Sequence, residues 1–250
     1  MMRHLWQAGL LDFQGRPLWQ YRQGTTEKQS LTWDILRESP PAIRPAGVIC
    51  LAGGSHSDAN VALAEAAIAV AQGAPVLLAS TQSVYGRQSG AVCEATPPAP
   101  INAYGRDKLM MEQAVAGHEN VTCLRIGNAI GADALLTAAT QGPVTLDQFA
   151  DGQGPRRMMI GPRTLAQAFI DLLAIPQRPP VLNLAQPGMV AMADLLDAAG
   201  AQWHWQPAPE TALPELEMDL RTVQKLIDLP AADPATLRAE VKAAGGVMLR

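Results

Sequence analysis

Three short apolar runs, AGVICLAG (Ala46–Gly53), VLLAS (Val76–Ser80) and VTCLRI (Val121–Ile126), alternate with two helical patterns, from about Asp58 to Gln72 and from about Ala103 to Ala116. Short β-rich runs bounded by turn residues read as strands buried on both faces. The first helical pattern is dense in alanine and closes on Gly73, a residue suited to a helix C-terminus. Strands separated by helices need crossover connections, and these run right-handed. The expectation is therefore an α/β chain with a doubly wound parallel sheet.

On either side the pattern is less regular. Arg3–Gly9 reads as the end of a helix, and PLWQYR (Pro17–Arg22) as a short strand followed by loop signals. Beyond Gly131, helices are expected near 164–174, 191–199, 220–227 and 234–243, with a strand at 181–185. WHW (203–205) carries the period-two signal of a strand, with both indoles on one face.

At 250 residues the chain can bury roughly three quarters of its unfolded surface. Its formal charge of -4 and lack of a basic run give no footprint for nucleic acid or an anionic membrane. No 18-residue apolar stretch or signal-peptide core is evident, so a cytoplasmic protein is expected. Cys50, Cys93 and Cys123 fit neither a disulfide framework nor a zinc site, and His4, His56, His118 and His204 are scattered. Reduced, buried thiols are the expectation.

Chemistry concentrates between Val76 and Lys108. The apolar run ends in hydroxyl residues (STQSVYG, Ser80–Gly86), a proline-rich loop follows, and NAYGRDK (Asn102–Lys108) opens the next helix. Tyr104 and Lys108 stand four apart, on one helix face. An ammonium there would favour the phenolate and lower the tyrosine pKa, making Tyr104 a general acid/base. Standing alone, each would read as an ordinary surface residue of a helix.

The ordered set of the Ser/Thr-rich strand end with VYG, the Tyr-x-x-x-Lys pair followed by LMMEQAV, and LRIGNAIG (Leu124–Gly131) resembles the extended short-chain dehydrogenase/reductase family, the NAD-dependent epimerases and dehydratases. The resemblance implies a Rossmann-like fold. Residues 1–126 would form the NAD(P)-binding part with the Tyr/Lys site, and 127–250 a mixed part that is mainly a substrate lobe. It further implies a small-molecule substrate, a nucleotide sugar or related polyol, and a possible homodimer through helices flanking the site.

By that resemblance Thr81 is the catalytic hydroxyl, Tyr104 the acid/base, and Lys108 the residue that holds the nicotinamide ribose. Ala52 and Gly53 would lie against the cofactor ribose, with Asn60 organising Lys108 through water. Ser83, Asn128 and Arg157, the last in DGQGPRR (151–157), would face substrate. Arg22 sits where an arginine accommodates a 2'-phosphate, which inclines the reading to NADP over NAD; a solvated arginine explains it equally. Glu94 could serve as a second acid/base of a dehydratase. Met158-Met159 and Pro162-Arg163-Thr164 depart from the family pattern and put nucleotide-sugar specificity in question, and the connection 54–59 is short for the family.

A family member should open with a strand and a Gly-x-x-Gly-x-x-Gly turn into a helix, the cradle for the pyrophosphate. No such pattern occurs here; Gly9, Gly15 and Gly24 are wrongly spaced. The expectation is an N-terminally truncated sheet lacking roughly 15 to 20 residues, the size of a strand, turn and helix start. A start assigned too far downstream, a degenerate member and an unusual cofactor loop all fit. Strands flanking the missing one must then face across a gap or pair directly. The alternative to an enzyme is a non-catalytic relic or a dinucleotide-sensing regulatory domain.

Overall fold

The computed structural model describes residues 1–24, 28–53, 57–88 and 90–245. The strands in chain order are β1 (Trp19–Tyr21), β2 (Ser30–Thr32), β3 (Val48–Cys50), β4 (Val76–Thr81), β5 (Val121–Ile126) and β6 (Asn128–Ala129). They continue with β7 (Val144–Gln148), β8 (Arg156–Ile160), β9 (Val181–Leu184), β10 (Met189–Ala191), β11 (Trp203–Pro207) and β12 (Glu215–Leu216). The helices are α1 (Met2–Gln7), α2 (Ser57–Ala71), α3 (Ala103–Ala114), α4 (Ala134–Ala139), α5 (Pro162–Ala174), α6 (Met192–Ala199), α7 (Arg221–Gln224) and α8 (Pro234–Ala243).

The main sheet has the order β3-β4-β5-β9, all parallel. Alternation along β4 sends its side chains to opposite faces. Val76 and Leu78 meet Ala64, Ala67 and Ala71 of α2, Met111 of α3 and Val115 at the C-cap of α3. Leu77 joins Phe169 and Leu172 of α5 on the other face. Those α2 alanines, spaced three and four apart, present a smooth stripe to the sheet. The expected three-layer α/β architecture is thus present, and β9, from the C-terminal half, is one of its strands.

The remaining strands form smaller sheets. β8 lies between β10 and β12 and also pairs with β6, while β7 pairs in parallel with β11. Ile130, Met159, Leu195, Leu196 and Leu237 fill a second apolar cluster beneath them. WHW is the start of β11 as the alternation predicts, with Trp203 and Trp205 in edge-to-face contact at 4.7 Å.

At the N-terminal side, Leu5 of α1 is fully buried near Ala166 of α5. β1 and β2 make a parallel pair of their own, and among the described residues no ladder joins them to β3. Direct pairing of the flanking strands, one of the two expected outcomes, does not occur. With a single partner strand, β3 is only three residues long, and Leu51 just beyond it is half exposed. α7 is also shorter than expected, because Lys225 and Leu226 turn back to carbonyls three residues earlier and tighten the chain. Among the described residues no helix is long and apolar enough to cross a membrane, and no group of side chains is arranged to hold a metal.

Candidate active site

β4 delivers Thr81 to the C-terminal end of the sheet, the end at which open α/β sheets bind ligands. The Thr81 hydroxyl accepts a hydrogen bond from Ser83 N (3.2 Å) and starts a short 3-10 turn, Gln82–Val84. Across the Pro-rich loop, the Asn102 side chain caps α3 by accepting from Gly105 N at 2.7 Å. This fixes Tyr104 in the first helical turn. A Cβ on Gly105 would lie 2.5 Å from the Ser83 carbonyl oxygen and 3.0 Å from Pro100 Cβ. Only glycine lets that turn press against the 3-10 segment, which sets the Tyr104 ring on the Thr81 side of the loop. Thr81 is buried, whereas Tyr104 keeps an exposed edge.

One turn along α3, Lys108 is only 3% exposed and donates from Nζ to the Ala79 carbonyl at 2.8 Å. Gly53, with φ +120, comes so close that a Cβ there would lie 2.2 Å from Asn60 Oδ1 and 3.0 Å from Lys108 Nζ. Gly53, Asn60 and Lys108 therefore converge. Ala52 beside them is exposed.

The electrostatics differ from the sequence expectation in one respect. Burial raises the Tyr104 pKa above its ordinary value, and the Thr81 hydroxyl offsets this in part; the Lys108 ammonium does not lower it. The physical reason is the direction of the ammonium, which is bound to Ala79. Burial also lowers the Lys108 pKa, against an opposing effect of the Cys50 and Cys123 thiols. Cys123 is pushed up to about 12, mainly by burial.

Behind this surface lies a network that sequence reasoning missed. Glu112, one further turn along the face shared by Tyr104 and Lys108, accepts from Ser80 Oγ at 2.5 Å and pairs with Arg125 Nη2 at 2.8 Å. The Arg125 guanidinium stacks 4.8 Å from the Tyr85 ring centre, and Tyr85 donates to Asn183 Oδ1 at 2.6 Å. Extending the four-residue spacing from Lys108 to Glu112 was the available signal. Nothing local marks Arg125 or Asn183.

The other predicted residues are placed as follows. Ser83 is half-buried, with its carbonyl against Gly105. Asn128 accepts a hydrogen bond from Gln82 Nε2. Arg157 donates to the carbonyls of Arg156 (2.8 Å), Pro214 (3.0 Å) and Leu213 (2.8 Å), so its fork is occupied within the chain. Arg22 follows β1 and is exposed. Glu94 accepts from Asn183 N on β9 at 3.0 Å and from Thr222 Oγ1 on α7 at 3.4 Å, so its carboxylate joins the edge of the main sheet to that helix. Residues 54–56 of the short connection lie outside the described residues. Trp205 packs over Gly154, where a Cβ would be 2.6 Å from the indole.

A Thr/Tyr/Lys set at the C-terminal end of a parallel sheet meets a family-level match over residues 35–161, half of the chain, to the NAD dependent epimerase/dehydratase family. The chain belongs to this family. No curated protein sequence gives a significant match. Among solved structures, MoeE5 in complex with UDP-glucose and NAD is similar at 18% identity and a TM-score of 0.71, over 97% of this chain and 93% of that one. TunA, a NAD dependent NDP-hexosamine 5,6-dehydratase involved in tunicamycin biosynthesis, is similar at 18% identity and TM-score 0.69, over 97% and 92%. The UDP-glucose-4-epimerase from Stenotrophomonas maltophila, with bound NAD, gives 18% and 0.67, over 86% and 82%. At these identities the likeness to epimerase/dehydratase structures is one of fold.

Proposed function

We propose that the chain is an NAD(P)-dependent oxidoreductase of the epimerase/dehydratase type acting on a nucleotide sugar or related polyol. The observation that carries this reading is the placement of Thr81 at the end of β4 and of Tyr104 in the first turn of α3, with Lys108 buried one turn further along that helix. Lys108, Asn60, Gly53, Ala52 and Tyr104 are the residues that would hold the nicotinamide end of the cofactor. Arg22 supports NADP over NAD through its match to a 2'-phosphate. When bound, the nicotinamide accepts or returns a hydride. Thr81 orients the reacting substrate oxygen, and Tyr104 takes or gives that oxygen's proton. Ser83 and Asn128 contribute contacts to substrate; Arg157 would do so only after releasing its carbonyl partners.

The three thiols, outside any disulfide, support a cytoplasmic setting, and the half-exposed Met110 on α3 supports a homodimer through the helices beside the site. Replacement Tyr104→Phe should abolish turnover of UDP-glucose or UDP-glucuronic acid while NAD(P) binding persists; turnover that survives the substitution refutes the assignment. A second reading, a dinucleotide-sensing or relic domain, draws on the Lys108 ammonium being held by Ala79 and on the open side of β3. Nicotinamide fluorescence titration separates the cases. Micromolar binding without turnover supports sensing, and absence of binding supports a relic.

A further inference from the structure

The proposed chemistry needs a hydroxyl on β4 and a phenol on α3 at one short separation, so it depends on how the helix sits along the strand. Apolar contact alone leaves that open. Met111 and Val115 lie against Val76 and Leu78, and such contacts are non-directional. Two polar tethers are directional. Lys108 Nζ donates to the Ala79 carbonyl at 2.8 Å, and one turn later Glu112 accepts from Ser80 Oγ at 2.5 Å. Thr81 is the next residue of β4. The Glu112 carboxylate cannot shift to suit Ser80, because Arg125 Nε (3.2 Å) and Nη2 (2.8 Å) hold it from β5, and Arg125 is the register neighbour of Ser80. All three side chains are buried.

The fold itself does not require the serine. Val76, Leu78 and Ser80 alternate onto one face of β4, where the first two belong to the apolar core, and a buried hydroxyl recovers little net stability from its hydrogen bond. What the bond adds is a fixed distance and angle. The other tether uses Lys108, which is assigned above to the nicotinamide end, so the Ser80 bond is the one that does not compete with the cofactor for a side chain. We propose that Ser80 is a positioning residue, whose bond to Glu112 sets the register of α3 along β4 and with it the approach of Tyr104 to Thr81. This rests on the reading of Thr81 and Tyr104 as the reacting pair. Tyr104 and Glu112 stand two turns apart on one face of α3, about 12 Å along the helix. A tilt of about 5° about Glu112 therefore carries the phenol by about 1 Å, a misplacement that costs on the order of 100-fold in rate.

The test uses the full chain with NAD, and measures turnover of UDP-glucose and UDP-glucuronic acid and the melting temperature for wild type, Ser80→Ala and Ser80→Thr. Loss of the hydroxyl in Ser80→Ala should lower kcat at least about tenfold, while KM for the sugar nucleotide stays within about twofold, because no group that touches it is removed. The same variant should melt no more than about 4 °C lower, so the loss of rate is not a loss of folded protein. Ser80→Thr keeps the O–H on a residue suited to a strand, and should restore kcat to within about threefold of wild type. A Ser80→Ala kcat within about twofold of wild type, or a Ser80→Thr variant no faster than Ser80→Ala, overturns the assignment while the proposed function stands. A wild type that turns over neither sugar nucleotide overturns the reading of the reacting pair and the assignment with it.

Discussion

Removing the Glu112 carboxylate tests the network behind the reactive surface. Both side chains of the Glu112–Arg125 pair are about 5% exposed and meet at 2.8 Å, with two further contacts from Arg125 Nε at 3.2 Å. Glu112→Ala leaves a guanidinium buried without its counter-charge, a class of change that costs about 3–5 kcal/mol. It also strips the acceptor from Ser80, which is buried, adding about 1 kcal/mol. For a chain of this size such a loss lowers the melting temperature by on the order of 10 °C. The double variant Glu112→Leu/Arg125→Met removes both charges, and should recover at least about half of the loss. Urea denaturation of Glu112→Leu, Arg125→Met and the double, read as a double-mutant cycle, gives the coupling directly. Additive losses, or a Glu112→Ala loss below about 1 kcal/mol, would show that the pair behaves as an exposed one and that the network does not hold the site.

The remaining expectations are these. Gly105→Ala must displace the Ser83 carbonyl, 2.5 Å from the new Cβ; it should cut turnover at least about tenfold by separating Tyr104 from Thr81, and preserved kinetics would contradict the close-approach role. Gly86→Ala, with φ +66 and a Cβ 1.9 Å from the Ala99 carbonyl oxygen, should destabilise by more than about 2 kcal/mol in chemical denaturation. Because Cys123 is pushed up to about 12 in the folded chain, the unfolded state loses that proton first as pH rises; stability should be full below about pH 8.5 and fall progressively towards pH 12, and Cys123→Ala should flatten the fall in alkaline melting curves. Since burial raises the Tyr104 pKa, kcat/KM for oxidation of an alcohol should climb through pH 10 in the free enzyme; a plateau near neutrality would mean that Lys108 reaches the phenol after all.

The legible parts of the fold were those with a strong local period. β4, β5, α2 and α3 announce themselves because apolar runs and alanine stripes must be buried in one way only. β6, β8, β10 and β12 were not legible: strands of two to five residues are specified by their partners rather than by their own pattern. The same division runs through the site. The Tyr104–Lys108 spacing places both on one face, but which way an ammonium turns depends on the Ala79 carbonyl, and spacing carries no such information. Arg157, expected from its glycine-rich turn to face substrate, donates to three carbonyls, of residues 156, 213 and 214, which no local pattern announces. Glu94 sits in a loop by its sequence, and its bond to the backbone of β9 carries no sequence signal.

Asn183 has a consequence for the order in which this molecule is built. Fully buried, it joins Tyr85, Val92 and Asp219 across separations of 98, 91 and 36 residues. Contacts so distant along the chain close slowly, because the loops between them must be ordered first. Asn183 stands on β9, so the Tyr85 turn beside Thr81 is completed only once the last strand of the main sheet is in place, and a chain stalled before that step lacks both.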